Sequence, residues 1–231
     1  MVLVNARNPL NIGAAARALS NFGFLHLRLV NPYDESFREA RSAVGASAVI
    51  AKAEKYSSLS EAVADCSLVV GTSAVRHREP QQQVKRLEQG ARLIRKRLGS
   101  GRVALLFGSE KVGLSNRDLS YCNFLMHIPT REQHLSMNLG QAVAICLYEL
   151  IRDTRAANGS EKQDLATAGD AERITTMLFD ALRASGYVTA GSAVSSEDKV
   201  RRLVRRLKLS TSDAEVLLGM LRQILWKLRS H

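Results

Sequence analysis

Three separated stretches carry residue types that could do chemistry on an anionic substrate. The first is Asn8-Pro9-Leu10-Asn11-Ile12-Gly13-Ala14-Ala15-Ala16-Arg17, a turn entering a helix almost without side-chain bulk. Glycine and alanine there let a ligand backbone approach closely, and the unpaired N–H groups and positive dipole end of a helix start favour a phosphate. Arg17 follows one turn beyond Gly13 and Ala14 on the same face, so its guanidinium can reach over that bare strip. The second stretch is Leu105-Leu106-Phe107, running into Gly108-Ser109-Glu110-Lys111-Val112-Gly113-Leu114-Ser115. It approaches the phosphate-loop pattern G-x-x-x-x-G-K-[ST], but Leu114 stands where that motif needs lysine, and leucine neutralises no triphosphate. Glu110 suits hydroxyl or amino groups of a ligand, or backbone N–H groups of its own surroundings. The third stretch runs from Ile128-Pro129-Thr130 through a polar loop into Ser136-Met137-Asn138-Leu139-Gly140-Gln141, where Ser136 and Asn138 are also plain helix caps.

These stretches need a scaffold, and residues 1 to 153 supply the pattern of one. Short apolar runs alternate with helical segments, as in parallel α/β architecture. Strands are expected at Val2 to Val4, Leu25 to Val30, Leu68 to Gly71, Val103 to Phe107 and Phe124 to Ile128, with a weaker candidate around Val49. Helices are expected from an Asn11 cap to before Gly23, from Ser60 to Ala64, from Val84 to Leu98 with Gly99 as the stop, and from Asn138 to Arg152. Residues 154–170 are polar and without periodicity, which reads as a linker. Residues 171–231 read as a small helical extension, with apolar spacing over Ile174 to Leu182 and Val200 to Leu207 and a Ser212-to-Glu215 capping box opening the last helix.

Composition limits the partners. The chain of 231 residues has 33 Lys and Arg against 22 Asp and Glu, a formal charge of +11 that favours a polyanion. Cys66, Cys122 and Cys146 lack metal-ligand spacing and sit in apolar or helical surroundings, so reduced buried thiols are expected, and the five histidines are equally unspaced; no metal site is expected. The sequence opens without a basic segment followed by an apolar stretch, and no run approaches membrane-spanning length, so a cytoplasmic protein is expected. Gly99-Ser100-Gly101-Arg102-Val103-Ala104 satisfies G-x-G-x-x-[GA] but precedes a strand, where a dinucleotide fingerprint must follow one. His134 beside Ser136 has no nucleophile elbow. A membrane-surface role would need exposed aromatics, and the one tryptophan, Trp226, falls on an apolar helix where it is expected to be packed.

Taken together, Asn11 to Arg17, Phe107 to Ser115 and Ser136 to Val143 resemble, in content, order and separation, the three motifs of the SpoU (TrmH-type) branch of SPOUT RNA 2′-O-methyltransferases. Asn21-Phe22-Gly23, Leu29-Val30-Asn31-Pro32 and Gly71-Thr72-Ser73-Ala74 extend the likeness over most of residues 2–152. Met137 replaces the commoner leucine with similar volume. The basic helical extension is similar to that of members acting on the ribose of tRNA nucleotide 32.

The resemblance implies a parallel sheet with a C-terminal trefoil knot, a homodimer with shared active sites, and S-adenosylmethionine as cofactor. It implies cofactor contacts at Thr72, Ser73, Ala74, Gly108, Gly113, Ile128, Leu135, Ser136 and Met137. The catalytic set would be Arg17 with Asn11, Glu110, Ser136 and Asn138. A guanidinium with a pKa above about 12 is no literal base; Arg17 is expected to hold RNA phosphate and stabilise the developing alkoxide, the proton leaving to water, phosphate or Glu110. RNA contacts are expected from Arg17, from Arg76 and Arg78, and from Arg201, Arg202, Arg205 and Arg206 on the amphipathic stretch Lys199 to Lys208. Ribosomal RNA methylation by the same branch, and an RNA-binding dimer without catalysis, are the alternatives.

Overall fold

The computed structural model describes residues 1–35, 37–38, 48–73, 81–131, 137–152, 164–189 and 193–229. Seven strands form one parallel sheet: β1 (Val2–Val4), β2 (Arg28–Val30), β3 (Glu54–Tyr56), β4 (Leu68–Thr72), β5 (Val84–Arg86), β6 (Val103–Phe107) and β7 (Phe124–His127). Their order is β3-β2-β1-β6-β4-β7-β5. Around it lie α1 (Pro9–Asn21), α2 (Ala48–Ala51), α3 (Leu59–Val63), α4 (Leu87–Leu98), α5 (Asn116–Ser120) and α6 (Leu139–Ile151), followed by three further helices, α7 (Ala168–Ala184), α8 (Ala193–Leu207) and α9 (Thr211–Arg229).

Successive strand residues point to opposite faces, and both faces are apolar because both are covered. Leu3, Leu29, Val70, Leu105, Phe107, Phe124 and Met126 join one core, closed by Ile12, Ala15 and Leu19 of α1 and Val143 and Leu147 of α6. Val2, Val4, Val30, Val69, Leu106 and Leu125 join the other, closed by Leu59, Ala62 and Val63 of α3 and by Leu119. Each fully buried leucine or phenylalanine here contributes roughly 1.5–3 kcal/mol. Ile174, Phe179, Val200, Val204, Ala214 and Leu221 make a third, separate core among α7, α8 and α9.

Several expected boundaries move. β2 is shorter than Leu25 to Val30, and β7 ends at His127. Val49 lies in the helical turn α2, and the strand follows it at Glu54–Tyr56. Val84 opens strand β5 instead of a helix, α4 beginning only at Leu87. α3 starts one residue earlier than expected because Ser58 caps it. The supposed linker already contains the start of α7, where Thr167 and Asp170 form a capping box. Likewise Ser210, not Ser212, receives the Asp213 N–H at the head of α9.

Candidate active site

The chain leaves β1 at Asn5 and β6 at Gly108, and these two strands are neighbours at the point where strand order reverses. Ligands of open parallel sheets bind at the carboxyl ends of strands around such a point. There, the Glu110 carboxylate accepts the backbone N–H groups of Asn8 (3.2 Å) and Arg7 (3.4 Å) and Asn11 Nδ2 (3.1 Å). Asn11 Oδ1 accepts Asn138 Nδ2 at 2.8 Å. Asn138 Oδ1 accepts the N–H groups of Gly140 (2.9 Å) and Gln141 (3.4 Å), capping α6. Backbone N–H groups only donate and an ionised carboxylate only accepts, so both amides have a single consistent orientation. One directed chain of hydrogen bonds thus joins all three motif stretches.

This arrangement corrects the expected helix start. Asn8, not Asn11, caps α1: its side chain accepts Leu10 N–H at 2.9 Å and its carbonyl accepts the N–H groups of Asn11 and Ile12, while Pro9 has none to offer. A phosphate seat at this helix end is therefore overturned. Its donors are bonded already, and Glu110 is the anion stationed beside them. Burial pushes the Glu110 carboxyl up, but the hydrogen bonds from its own backbone N–H, Asn11, Asn8 and Arg7 outweigh this and hold it below the usual glutamate value. A carboxylate so satisfied is a poor proton acceptor.

Arg17 is exposed, two turns along α1, on the face it shares with half-buried Gly13 and exposed Ala14. A side-chain carbon built on Gly13 would meet nothing within 4 Å, whereas one on Gly140 would come within 2.7 Å of Ala14 Cβ. Helix α6 therefore crosses α1 at Ala14 in close contact, and Gly13 and Arg17 border that crossing. Gly13 faces open space, and Arg17 is exposed on the same helix face.

The loop after β6 is closed on itself. A Cβ on Gly108 would fall 2.0 Å from the Gly113 carbonyl carbon, Gly113 has a φ of +68°, and its N–H bonds Ser109 O at 2.8 Å. Leu114, placed where a phosphate loop has lysine, is buried in the second core. At the ends of β4 and β7, Thr72 Oγ1 donates to Leu106 O and Ser73 N–H to Met126 O, so these two donors serve the sheet. Gly108 and Ile128, just past the ends of β6 and β7, are half-buried, as is Met137 immediately before the Asn138 cap. Sequence reasoning passed over Thr130, two residues past Ile128, whose hydroxyl is buried without a partner among the described residues. Such a group is unfavourable unless something pairs with it. Ala74, Arg76, Arg78, Leu135 and Ser136 lie outside the described residues.

The basic helix α8 divides in two. Arg201 is 1% exposed and Arg205 5%, on the inward face with Val200 and Val204, so they are withdrawn from the RNA-facing set. Arg206 is exposed and Arg202 half-exposed. The thiols of Cys66, Cys122 and Cys146 are free and buried, as expected. No helix among the described residues is long and apolar enough to cross a membrane, but Trp226 is 62% exposed on α9 and not packed as expected.

Comparison with known proteins adds to this geometry. The model of the SpoU rRNA Methylase family matches residues 1–148. The chain is 35% identical, over 97% of its length and 90% of the relative's, to the tRNA (cytidine/uridine-2′-O-)-methyltransferase TrmJ of Sodalis glossinidius. Among solved structures, TrmJ from Z. mobilis ZM4 superposes with a TM-score of 0.83 at 30% identity, covering 96% of this chain and 97% of that one. An AdoMet-bound rRNA methyltransferase from Sinorhizobium meliloti matches 65% of this chain and 54% of its own, at 25% identity and a TM-score of 0.50.

Proposed function

The chain belongs to the SpoU rRNA Methylase family, and from that premise we propose that it transfers a methyl group from S-adenosylmethionine to a ribose 2′-hydroxyl of tRNA, at nucleotide 32 of the anticodon loop. The observation that carries this reading is the hydrogen-bonded chain Glu110–Asn11–Asn138, which assembles the three motif stretches at the reversal of strand order. The tRNA substrate is supported by relatives similar over the whole chain, helical extension included.

The donor fits the rim of strand ends described above. Gly108, Ile128 and Met137 would hold it, with the Thr130 hydroxyl, without a partner among the described residues, as a polar contact, and Gly113, Ala74, Leu135 and Ser136 completing the set. When bound, S-adenosylmethionine supplies an electrophilic methyl group on a sulfonium. The protein's part is positioning and electrostatics. Arg17 holds an RNA phosphate on the Gly13–Ala14 strip and stabilises charge growing on the ribose oxygen. Asn11 and Asn138 keep α1 and α6 in register beneath it. The hydroxyl proton passes to water or phosphate, because Glu110 is already satisfied.

In this reading residues 1–153 form the catalytic unit, knotted at its C-terminal part, and residues 171–231 bind tRNA through Arg202 and Arg206. The protein works as a cytoplasmic homodimer. Incubation with total tRNA and labelled S-adenosylmethionine, followed by mapping of alkali-resistant linkages, tests it. Label confined to nucleotide 32 is expected; label at other nucleotides only, or none, overturns it. Arg17→Lys should retain a fraction of activity and Arg17→Ala almost none.

A further inference from the structure

The helical extension is fastened to the catalytic unit at the opposite end of the strands that carry the donor. The first two N–H groups of α7, at Ala168 and Gly169, bond Cys66 O (2.7 Å) and Ala64 O (2.9 Å), just before β4. Gly169 allows this approach: a Cβ there would lie 3.0 Å from Ala64 O. Asn123, immediately before β7, accepts Val69 N–H at 2.8 Å and donates to Arg205 O at 3.4 Å. Arg205 in turn donates to Ala168 O at 3.2 Å.

Arg201 is the centre of this junction. Its guanidinium donates to Glu172 of α7 at 2.9 Å, to Glu197 and Asp198 of α8 at 2.5 and 3.0 Å, and to Ser120 Oγ of α5 at 3.3 Å. It lies 4.5 Å from the ring centre of Tyr121. Two helices of the extension and the segment leading into β7 thus meet on one cation. β4 and β7 are paired from Val70 and Phe124 to Thr72 and Met126, and they emerge at Ser73 and Ile128, on the donor rim. The same two strands hold the extension at one end and the donor rim at the other.

We infer that Arg201 is a positioning residue that fixes the spacing between the extension's basic face and the methyl-transfer site, so that one tRNA reaches both only when a single ribose is in place. This rests on the function proposed above. Two sites engaging one RNA act as a bivalent binder, whose gain depends on their separation being set. Buried ion clusters contribute little net stability compared with an apolar replacement and are better attested as devices of specificity, and the planar fork of arginine matches several acceptors where lysine offers a point charge.

The test compares the parent with Arg201→Lys and with Glu172→Gln, which loosens the cluster while leaving the arginine in place. For both variants we expect a KM for full-length tRNA about tenfold higher, an unchanged kcat at saturating tRNA, unchanged S-adenosylmethionine binding by calorimetry, and label spreading to neighbouring riboses. Parent-like KM and parent-like site selection in both variants would overturn the inference. So would loss of S-adenosylmethionine binding in both, which would mark a purely structural role. If the parent itself methylates no tRNA, the functional reading fails instead.

Discussion

Asn138 Nδ2 lies 2.8 Å from Asn11 Oδ1, although 127 residues separate them in sequence. Because Asn138 Oδ1 simultaneously caps α6, one side chain both starts the last helix of the catalytic unit and ties it to the first. Substitution can separate the two duties. Aspartate caps a helix as well as asparagine does, but it has no N–H to give Asn11. Asn138→Asp should therefore keep its helical content by circular dichroism while methylation slows roughly a hundredfold, the order expected for misplaced catalytic groups.

Glycines 13 and 108 should respond in opposite ways. Gly13→Ala places a methyl group in open space in a helix interior, and the melting curve should show a gain of about 1 kcal/mol. The same methyl stands on the strip assigned to RNA, so the KM for tRNA should rise. Gly108→Ala drives a carbon into the Gly113 backbone and should cost about 3 kcal/mol and abolish donor binding.

Glu110 makes stability depend on pH. Its carboxyl is held below the usual value in the folded protein, so its contribution is present above the unfolded-state pKa of about 4.3 and is lost as pH falls through the lower folded value. Chemical denaturation between pH 6 and pH 3 should show stability falling with acid in the parent. In Glu110→Gln the fall should be shallower.

The two faces of α8 give a salt-dependence test. Reversing charge at Arg202 and Arg206 should lower the slope of log affinity for tRNA against log salt by about 2, with donor binding spared. Reversal at the buried Arg201 or Arg205 should instead reduce the cooperativity of unfolding, because the ion cluster loses its centre in the first case and the bond to Ala168 O is lost in the second. An equal effect on salt slope from either pair would contradict this division.

Much of this was legible in the chain. The buried strands Val2–Val4 and Val103–Phe107 stand where the apolar runs put them, and the residue types of the site were apparent. The missed strands Glu54–Tyr56 and Val84–Arg86 are the two edges of the sheet. Edge strands carry charge that deters further pairing, which erases the apolar signal. Pro9 was the overlooked sign that Asn8, not Asn11, opens α1. The pairing of Asn11 with Glu110 and Asn138 could not be read at all, since hydrogen bonds spanning 99 and 127 residues exist only once the sheet is built. Nor does composition distinguish Arg201 from Arg202. A rotation of one residue along α8 puts one in the interior and the other at the surface.

The linkage of Asn138 to Asn11 has a consequence for biosynthesis. A ribosome-bound chain that has not yet released Asn138 holds Asn11 and Glu110 in want of their third member, so an unfinished polypeptide should modify RNA far more slowly than the finished one. Full competence should arrive when the late segment docks against the early one, and a catalytic assay of nascent chains of increasing length would register that moment as a step.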